Sequence, residues 1–301
     1  MPKQTSNEWT INGHTIELTS LDKPYWPDDG LTKGDALNYY RAVADVMLPY
    51  VVNRPITFRA YPSGIKGPGF WRRDVPDNAP DWLTSVTYQP ETREDRIEVP
   101  LIQNEAALIW WTDHSSIEIH QWLSLKDDLD HPDWAVFDLD PGEDVGFDRI
   151  LEAAVLVRDD LAEHGLKTFA KTSGATGMHV FVPLVPKDPF DDVRAWVHGV
   201  ARRLAEQQPK LIAAASGGTH RGSVVTIDHA QNSVARNTAA PYTLRARSGA
   251  TVSAPLSWDE VEKGKVRPGD LTLRTVPKRL KHDGDPWGGA LKLRQKLPKQ
   301  S

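Results

Sequence analysis

The order of apolar and polar residues along the chain predicts a mixture of short strands and longer helices. Alternating runs on either side of Asn12-Gly13 predict a β-hairpin at the start of the chain. Apolar residues at helical spacing predict helices over about 34–48, 147–163 and 191–207. Because strands precede and follow these helices and hairpins recur, the pattern indicates an α+β fold.

Further strands are predicted by short apolar runs bounded by turn residues. One such run ends in Asp138-Leu139-Asp140, another ends in Asp228, and two more flank the glycine-bracketed turn 173–177. We expect the two acidic strand ends to lie on one central sheet. Four other runs are predicted as strands: PITFRAY, IEVPLI, ALIWWT and SSIEIHQW. No linker divides the pattern, so residues 1–301 are expected to form a single domain.

Composition narrows the class of protein. Of the 301 residues, 39% are hydrophobic and 26% are charged, which is typical of an ordinary globular chain. The absence of cysteine excludes disulfides, thiolate metal sites and a cysteine nucleophile. No apolar stretch reaches the length of a membrane span, and the first residues lack the apolar core of a signal peptide. We therefore expect a cytoplasmic protein with no membrane partner.

The charge is distributed unevenly. The net charge is −5, yet the segment 263–301 holds eleven Lys and Arg against three Asp, a local charge of +8. Such a basic C-terminal segment is typical either of a surface on which a polyanion docks or of a solvated tail.

Two carboxylates dominate the candidate chemistry. Side chains two apart in a strand lie on the same face, so Asp138 and Asp140 place like charges side by side unless a cation lies between them. An EF-hand is excluded because Glu143 and Arg149 stand where Gly and Glu are required. A phosphatase of the haloacid dehalogenase type expects Thr or Val where Gly142 stands. A divalent-metal site that acts on phosphates remains, with Mg²⁺ or Mn²⁺ suited to oxygen ligands.

Groups that suit phosphate surround these carboxylates in the sequence. The turn that contains Ser173 offers backbone N–H groups, and His179 follows on the outgoing strand. Arg221 precedes Asp228, and Arg245 comes after it; guanidinium groups match phosphate geometry. Taken singly, each feature is also typical of a plain hairpin, a structural histidine or a surface arginine. Together they favour a phosphate-binding site.

The motifs taken in order resemble the polymerase domain of bacterial ligase D, in the archaeo-eukaryotic primase (primase-polymerase) superfamily. The resemblance extends from about residue 18 to the C-terminal end. It depends on LDKPYWP, LTKGDALNYY, RPITFRAYPSG, GFW, FDLDPG, TSGATGMHVFVPL, IDHAQN and APYTLRAR. It implies a primase-polymerase fold, with mixed or antiparallel central sheets, flanking helices and an active site in the cleft between them.

The resemblance also implies roles for single residues. Two divalent cations, Mn²⁺ or Mg²⁺, are implied at the catalytic carboxylates Asp138, Asp140 and Asp228. Contacts to the incoming nucleotide are implied for Ser173, Gly174, His179, Gln231 and Arg245. For DNA, the resemblance implies a 5′-phosphate grip by Lys23 and Lys33, stacking at the template by Phe70 and Trp71, and a contact near the primer-template or nucleotide phosphates by Arg221.

Five positions need a further comment. Relatives often have lysine in the glycine-bracketed turn, where this chain has Ala175 and Thr176. Without the resemblance, Phe70 and Trp71 are more typical of a core. His120, in the IEIHQW run, is assigned to structure.

The implied activity is template-directed, metal-dependent nucleotidyl transfer from an NTP or dNTP to a primer 3′-hydroxyl. The resemblance further implies ribonucleotide preference and short gap filling at 5′-phosphorylated gaps or overhanging ends, in the bacterial nucleoid. Its implied setting is non-homologous end joining with Ku and a separate ATP-dependent DNA ligase. Two alternatives stay open: a metal-dependent phosphatase or phosphotransferase for small molecules, and a non-catalytic module that binds DNA ends.

Overall fold

Two β-sheets of unequal size form the centre of the computed structural model, which describes residues 7–90, 95–215 and 222–298. The strands are β1 (Glu8–Ile11), β2 (His14–Glu17), β3 (Pro24–Trp26), β4 (Leu31–Thr32), β5 (Ile56–Ala60), β6 (Phe70–Arg72), β7 (Ser85–Tyr88), β8 (Ile97–Pro100), β9 (Ser116–Gln121), β10 (Ser124–Leu125), β11 (Asp128–Pro132), β12 (Trp134–Pro141), β13 (Phe169–Thr172), β14 (Met178–Pro183), β15 (Ile212–Ala215), β16 (Val225–Asp228), β17 (Thr238–Ala239) and β18 (Pro255–Leu256). The α-helices are α1 (Lys33–Val51), α2 (Glu105–Asp113), α3 (Phe147–Glu163), α4 (Phe190–Gln207), α5 (Trp258–Lys263) and α6 (Val276–Asp283). None of the helices in these ranges is long and apolar enough to cross a membrane.

The larger sheet has the strand order β15-β16-β12-β14-β13-β18, and the smaller sheet has the order β17-β9-β5-β6. All neighbours are antiparallel except β15 and β16, which run parallel. The remaining strands form two-stranded pairs, among them the N-terminal hairpin β1-β2 around Asn12-Gly13. The predicted α+β fold, the hairpin and the shared sheet for the acidic strand ends are confirmed.

The central strand β12 fixes which face of the larger sheet bears the carboxylates. Helices α3 and α4 each bury an apolar stripe, and both contact β12. Phe137 packs edge-on against Trp196 of α4, with ring centroids 5.6 Å apart. Because strand side chains alternate, Asp138 and Asp140 must point to the opposite face. The two helices therefore cover one face of the sheet, and the side chains of Asp138 and Asp140 lie on the other.

A buried ion pair joins the two sheets at the beginnings of two of their inner strands, β5 and β12. Arg54, two residues before β5, donates from Nη1 and Nη2 to the two carboxylate oxygens of Asp133, at 2.6 and 2.8 Å. Asp133 immediately precedes β12, and both side chains are almost completely buried. A bidentate pair of this kind has defined geometry, so it holds the start of β5 against the start of β12.

The prediction of a strand for ALIWWT is wrong, because these residues belong to helix α2. Asn104 caps the helix by accepting a hydrogen bond from the Ala107 amide at 2.9 Å. Eight of its nine residues are buried, so the helix has no polar face to reveal a helical period. A short apolar run buried on all sides cannot be distinguished from a strand by periodicity alone.

The basic C-terminal segment is packed against the fold as far as residue 298. Trp287 is buried, and its indole Nε1 donates to the carbonyl of Ala170 in β13 at 2.8 Å. Several of its cations form ion pairs, including Arg279 with Glu260 and Arg267 with Asp148. The described part of the segment therefore contributes to the structure and is not a detached solvated tail.

Candidate active site

One row of side chains crosses four neighbouring strands of the larger sheet. Asp228 on β16 lies directly opposite Asp138 on β12, which lies opposite His179 on β14, which lies opposite Lys171 on β13. Directly opposed residues in antiparallel strands share a face, so the four side chains form one line on the face away from α3 and α4. Asp140 shares that face and lies opposite Thr226. The row runs from two carboxylates at one end to a lysine at the other.

The carboxylates have protein partners in this arrangement. Asp138 Oδ1 lies 3.2 Å from His179 Nε2. Asp228 Oδ1 accepts a hydrogen bond at 2.8 Å from the amide of Ala230, which caps the short turn after β16. Across residues 7–90, 95–215 and 222–298, no three His, Asp or Glu side chains converge as a preformed metal site.

The donor set nevertheless fits divalent cations in kind. It consists of carboxylate oxygens from adjacent strand positions, the ligands preferred by Mg²⁺ and Mn²⁺. Thr226 lies opposite Asp140 and two residues before Asp228 on the same face, and its buried hydroxyl has no hydrogen-bond partner within the described chain. Such an unsatisfied hydroxyl is available to a water held by a cation. The role of Asp138, Asp140 and Asp228 as metal ligands stays a prediction.

The glycine-bracketed turn lies against the acidic end of β12. Ser173 Oγ accepts hydrogen bonds from the amides of Ala175 and Gly177, at 3.2 and 3.1 Å, and so shapes the turn. Gly174 has φ +68°, and a Cβ there would lie 2.7 Å from the Ser253 amide nitrogen. At Gly177 a Cβ would lie 2.3 Å from the carbonyl oxygen of Leu139. Glycine is therefore required for the close approach at both positions.

Arg245 connects this turn to the smaller sheet. Its Nη1 donates to the carbonyl of Ser173 at 2.5 Å, and its Nε lies 3.3 Å from Glu118 Oε2 on β9. Glu118 also accepts from the Ala246 amide at 2.8 Å and lies 3.0 Å from His120 Nε2. Burial alone raises the pKa of Glu118, but the His120 hydrogen bond and the charge of Arg245 prevail and lower that pKa to about 2. The ionised Glu118 thus fixes Arg245 at the edge of the site.

A cavity of about 550 Å³ opens between the two sheets at this point. Its walls include Arg59 and Tyr61 from β5 and the segment that follows it, Glu118 from β9, Gly174 from the turn, and Arg245. Its volume lies in the range of small-molecule sites, and its cationic lining suits an anionic ligand.

The buried end of the row carries His179 and Lys171. Burial, followed by the charges of Lys171 and Arg245, lowers the pKa of His179 well below its ordinary value. Burial and Arg245 also lower the pKa of Lys171 well below its ordinary value, although Asp138 acts in the opposite direction. A neutral His179 imidazole follows from this environment.

Phe70 and Trp71 lie outside the core, on the edge strand β6. They are 46% and 41% exposed, whereas most large aromatic side chains of the protein are buried. Trp71 meets His120 edge to face at 4.9 Å, and the Arg59 guanidinium lies 5.2 Å from the Trp71 ring centroid. Exposed aromatic faces beside a cation are typical of ligand contact and argue against a purely structural role.

The remaining predicted residues are placed differently. Lys23 is exposed. Lys33 is only 3% exposed, and its Nζ lies 2.7 Å from both the Asp113 carboxylate and the Thr19 carbonyl. Gln231 is half-buried in the short turn after Asp228. Arg221 lies outside the described residues. The structure thus brings the carboxylates, His179, the turn and Arg245 together, and it places Lys33 in an internal ion pair.

Three residues of this region were not identified as site candidates from the sequence: Lys171, Arg59 and Glu118. The one available signal was a charged side chain inside an otherwise apolar strand run, which is uncommon unless the charge is paired or functional.

Comparison with known proteins identifies the group to which this arrangement belongs. Residues 32–287 match the family described as the LigD primase-polymerase domain. The multifunctional non-homologous end joining protein LigD of Mycolicibacterium smegmatis is 34% identical over 274 residues, which cover 90% of this chain and 35% of that protein. The bifunctional non-homologous end joining protein LigD of Bacillus subtilis is 28% identical over 274 residues, covering 90% of this chain and 43% of that protein.

A solved structure is similar over nearly its whole length. It is the polymerase domain of Mycobacterium tuberculosis ligase D in complex with DNA, with a TM-score of 0.86 and 32% identity, covering 93% of this chain and 99% of that one. The fold therefore defines a domain of the primase-polymerase class. The chain belongs to the family of LigD primase-polymerase domains, whose members are generally dependent on divalent metal. It spans about a third of the length of the mycobacterial relatives, which are end-joining proteins.

Proposed function

We propose that this chain catalyses template-directed transfer of a nucleotide from an NTP or dNTP to a primer 3′-hydroxyl. The proposed substrates are short gaps and broken ends in bacterial non-homologous end joining. The observation that carries the proposal is the row Asp228–Asp138–His179–Lys171 beside a glycine-bracketed turn and Arg245. Carboxylates next to a cationic cavity match the needs of phosphoryl transfer, in which positioning and charge stabilisation supply most of the catalysis.

In this proposal Asp138, Asp140 and Asp228 hold two divalent cations, Mn²⁺ or Mg²⁺. When bound, the cations lower the pKa of the primer hydroxyl and neutralise charge on the leaving pyrophosphate. The protein fixes the carboxylates by the strand pairing of β12 and β16, so their positions depend on sheet register. The Asp228 cap on the Ala230 amide orients one of the three.

The triphosphate is proposed to lie along the turn and the Arg245 side of the cavity. Arg245 is anchored there by Glu118 and by the Ser173 carbonyl. Ser173 and Gly174 give the turn its shape, and we assign the nucleotide-facing roles to its backbone and to His179 Nε2. Gln231, half-buried after Asp228, completes the proposed nucleotide contacts.

The DNA is proposed to contact the smaller sheet at its exposed edge strand β6. Phe70 and Trp71 offer exposed rings on which template bases stack, an interaction that tolerates any base sequence. Lys23 is exposed and suited to a 5′-phosphate. A matching role for Lys33 requires its ammonium to leave the Asp113 pair, and Arg221 is proposed near the primer-template or nucleotide phosphates.

The proposed partners follow from the relatives. The mycobacterial structure contains DNA, and the curated relatives are end-joining proteins that are much longer than this chain. We propose that the chain acts at the bacterial nucleoid beside Ku and an ATP-dependent DNA ligase, with a preference for ribonucleotides.

The deciding experiment is extension of a labelled primer across a short gap that carries a 5′-phosphate. Each sugar form of the nucleotide is supplied with Mg²⁺ or Mn²⁺ in turn. The unaltered protein is expected to lengthen the primer, most readily with NTPs, and the D138A/D140A double variant is expected to bind DNA without extending it. Extension by the folded double variant overturns the catalytic assignment. Phosphate release from small esters without primer extension favours a phosphatase.

A further inference from the structure

Lys171 is a completely buried lysine that the proposed reaction does not use directly. It is 0% exposed, on β13, directly opposite His179. Its Nζ lies 2.8 Å from His179 Nδ1, 2.5 Å from Ser253 Oγ and 3.5 Å from the Thr172 carbonyl. A buried lysine side chain is uncommon and costs free energy unless its hydrogens are used.

The hydrogen-bond pattern determines which atom donates. Ser253 Oγ gives its own hydrogen to the Thr172 carbonyl at 2.9 Å, so it accepts from Lys171. On the other side of the ring, His179 Nε2 faces Asp138 Oδ1 at 3.2 Å. An ionised carboxylate only accepts, so the imidazole hydrogen belongs on Nε2. Nδ1 then has a lone pair, and Lys171 is the donor that satisfies it.

We propose that Lys171 is a positioning residue: it donates to His179 Nδ1 and so keeps the His179 proton on Nε2, aimed at the carboxylates and the nucleotide. The proposed contact of His179 with a phosphate oxygen needs a hydrogen on Nε2, because a bare Nε2 would present a lone pair to an anion. This inference deepens the proposed function and depends on it for its catalytic consequence.

Ala175 and Thr176 leave the glycine-bracketed turn without a cationic side chain. Lys171 lies beneath the same site and acts on it through the imidazole ring. In this chain the proposed orientation of the histidine therefore comes from Lys171 on the neighbouring strand.

The first test needs no catalysis. Long-range ¹H–¹⁵N NMR of the metal-free protein reports which nitrogen of His179 carries hydrogen, and an H179Q variant identifies the resonances by their loss. We expect a protonated Nε2 and a bare Nδ1 in the unaltered protein and in S253A, which retains the lysine–histidine contact. A proton on Nδ1 in the unaltered protein overturns the proposal, whether or not the chain is a polymerase.

The second test is a double-mutant cycle with K171M, which removes the donor and keeps the length of the side chain. We expect K171M to raise KM for the nucleotide about tenfold, the scale of one hydrogen bond to a charged system, while kcat changes less than about threefold. In the H179Q background the same substitution should add nothing, because Lys171 acts only through the ring. Losses that multiply in the double variant identify a purely structural lysine and overturn the proposal. S253A controls for disturbance of the buried pocket.

Discussion

Replacing Asp228 with Asn separates two effects of this carboxylate. One is the charge repulsion that it adds to the folded protein, and the other is its proposed role in catalysis. Asp228 lies directly opposite Asp138 in the antiparallel pairing, so their charges repel when both are ionised. Asparagine has nearly the same shape and keeps an oxygen that accepts from the Ala230 amide, as Asp228 Oδ1 does at 2.8 Å. The substitution therefore removes one charge and leaves the cap in place.

Relative to the unaltered protein, D228N is expected to be at least as stable without metal and less stable with it. Like charges directly opposite cost roughly 0.2–1 kcal/mol, so D228N should be as stable as the unaltered protein or more stable by up to about 1 kcal/mol without metal. A cation at about a hundred times its Kd stabilises the folded state by about 2.7 kcal/mol. We therefore expect Mn²⁺ to raise the Tm of the unaltered protein by several degrees and that of D228N by much less.

Differential scanning calorimetry with and without Mn²⁺ measures both effects, and primer extension measures the loss of activity. Asp259 on α5, an exposed carboxylate outside the row that pairs with Lys263 on the surface, supplies the matched control D259N. An equal metal-induced rise in Tm for D228N and the unaltered protein would refute the placement of a cation at Asp228. A large loss of stability in metal-free D228N would instead show that the carboxylate supports the fold.

Two further predictions follow from the smaller sheet. W71A should weaken binding of a single-stranded template overhang by about 5- to 150-fold, the value of one base–aromatic stack, while W71F should retain most of the affinity. Fluorescence anisotropy measures both affinities, and equal binding by W71A and the unaltered protein would contradict stacking. Glu118 has a folded-state pKa of about 2 against 4.5 ordinarily, so its ionised form stabilises the fold above about pH 4.5, and that contribution is lost as the pH falls toward 2. E118Q should therefore have a lower Tm than the unaltered protein at pH 7, and the difference should shrink between pH 4.5 and 2.5; a difference independent of pH would refute the ionised Glu118–Arg245 pair.

Elements with a clear alternation or helical spacing of apolar residues could be predicted from the sequence. The amphipathic helices α3 and α4 and the hairpin of β1 and β2 agree with their predicted positions, because one face of each helix is polar and Asn-Gly favours a tight turn. Helix α2 has no exposed face, so its period was hidden and its prediction as a strand was wrong. A periodic pattern of apolar and polar residues arises only where an element has one buried and one exposed face. An element that is buried on all sides shows no such pattern.

Partners that are distant in the sequence explain what could not be read from it. The surroundings of Lys33 depend on Asp113, eighty residues further on, and those of Lys171 depend on Ser253, eighty-two residues further on. A lysine at the start of a helix and a lysine in a strand have no local feature that predicts burial. Their pairing is decided by how the strands and loops assemble, which no local pattern describes.

The same limit applies to the row of Asp228, Asp138, His179 and Lys171, because residue spacing alone could not predict which strands pair. Alternation placed Asp138 and Asp140 on one face, but the pairing of β12 with β16 and β14 decides that Asp228 and His179 join them. A slip of one residue in either pairing would turn His179 or Asp228 toward α3 and α4, into the apolar layer. The glycine-bracketed turn and the Ala230 cap sit at the ends of these strands, where a slip would have to begin. The features that shape the candidate site are thus also the features that hold its register, so substitutions at Gly177 should disturb the site through strand pairing even without touching a ligand.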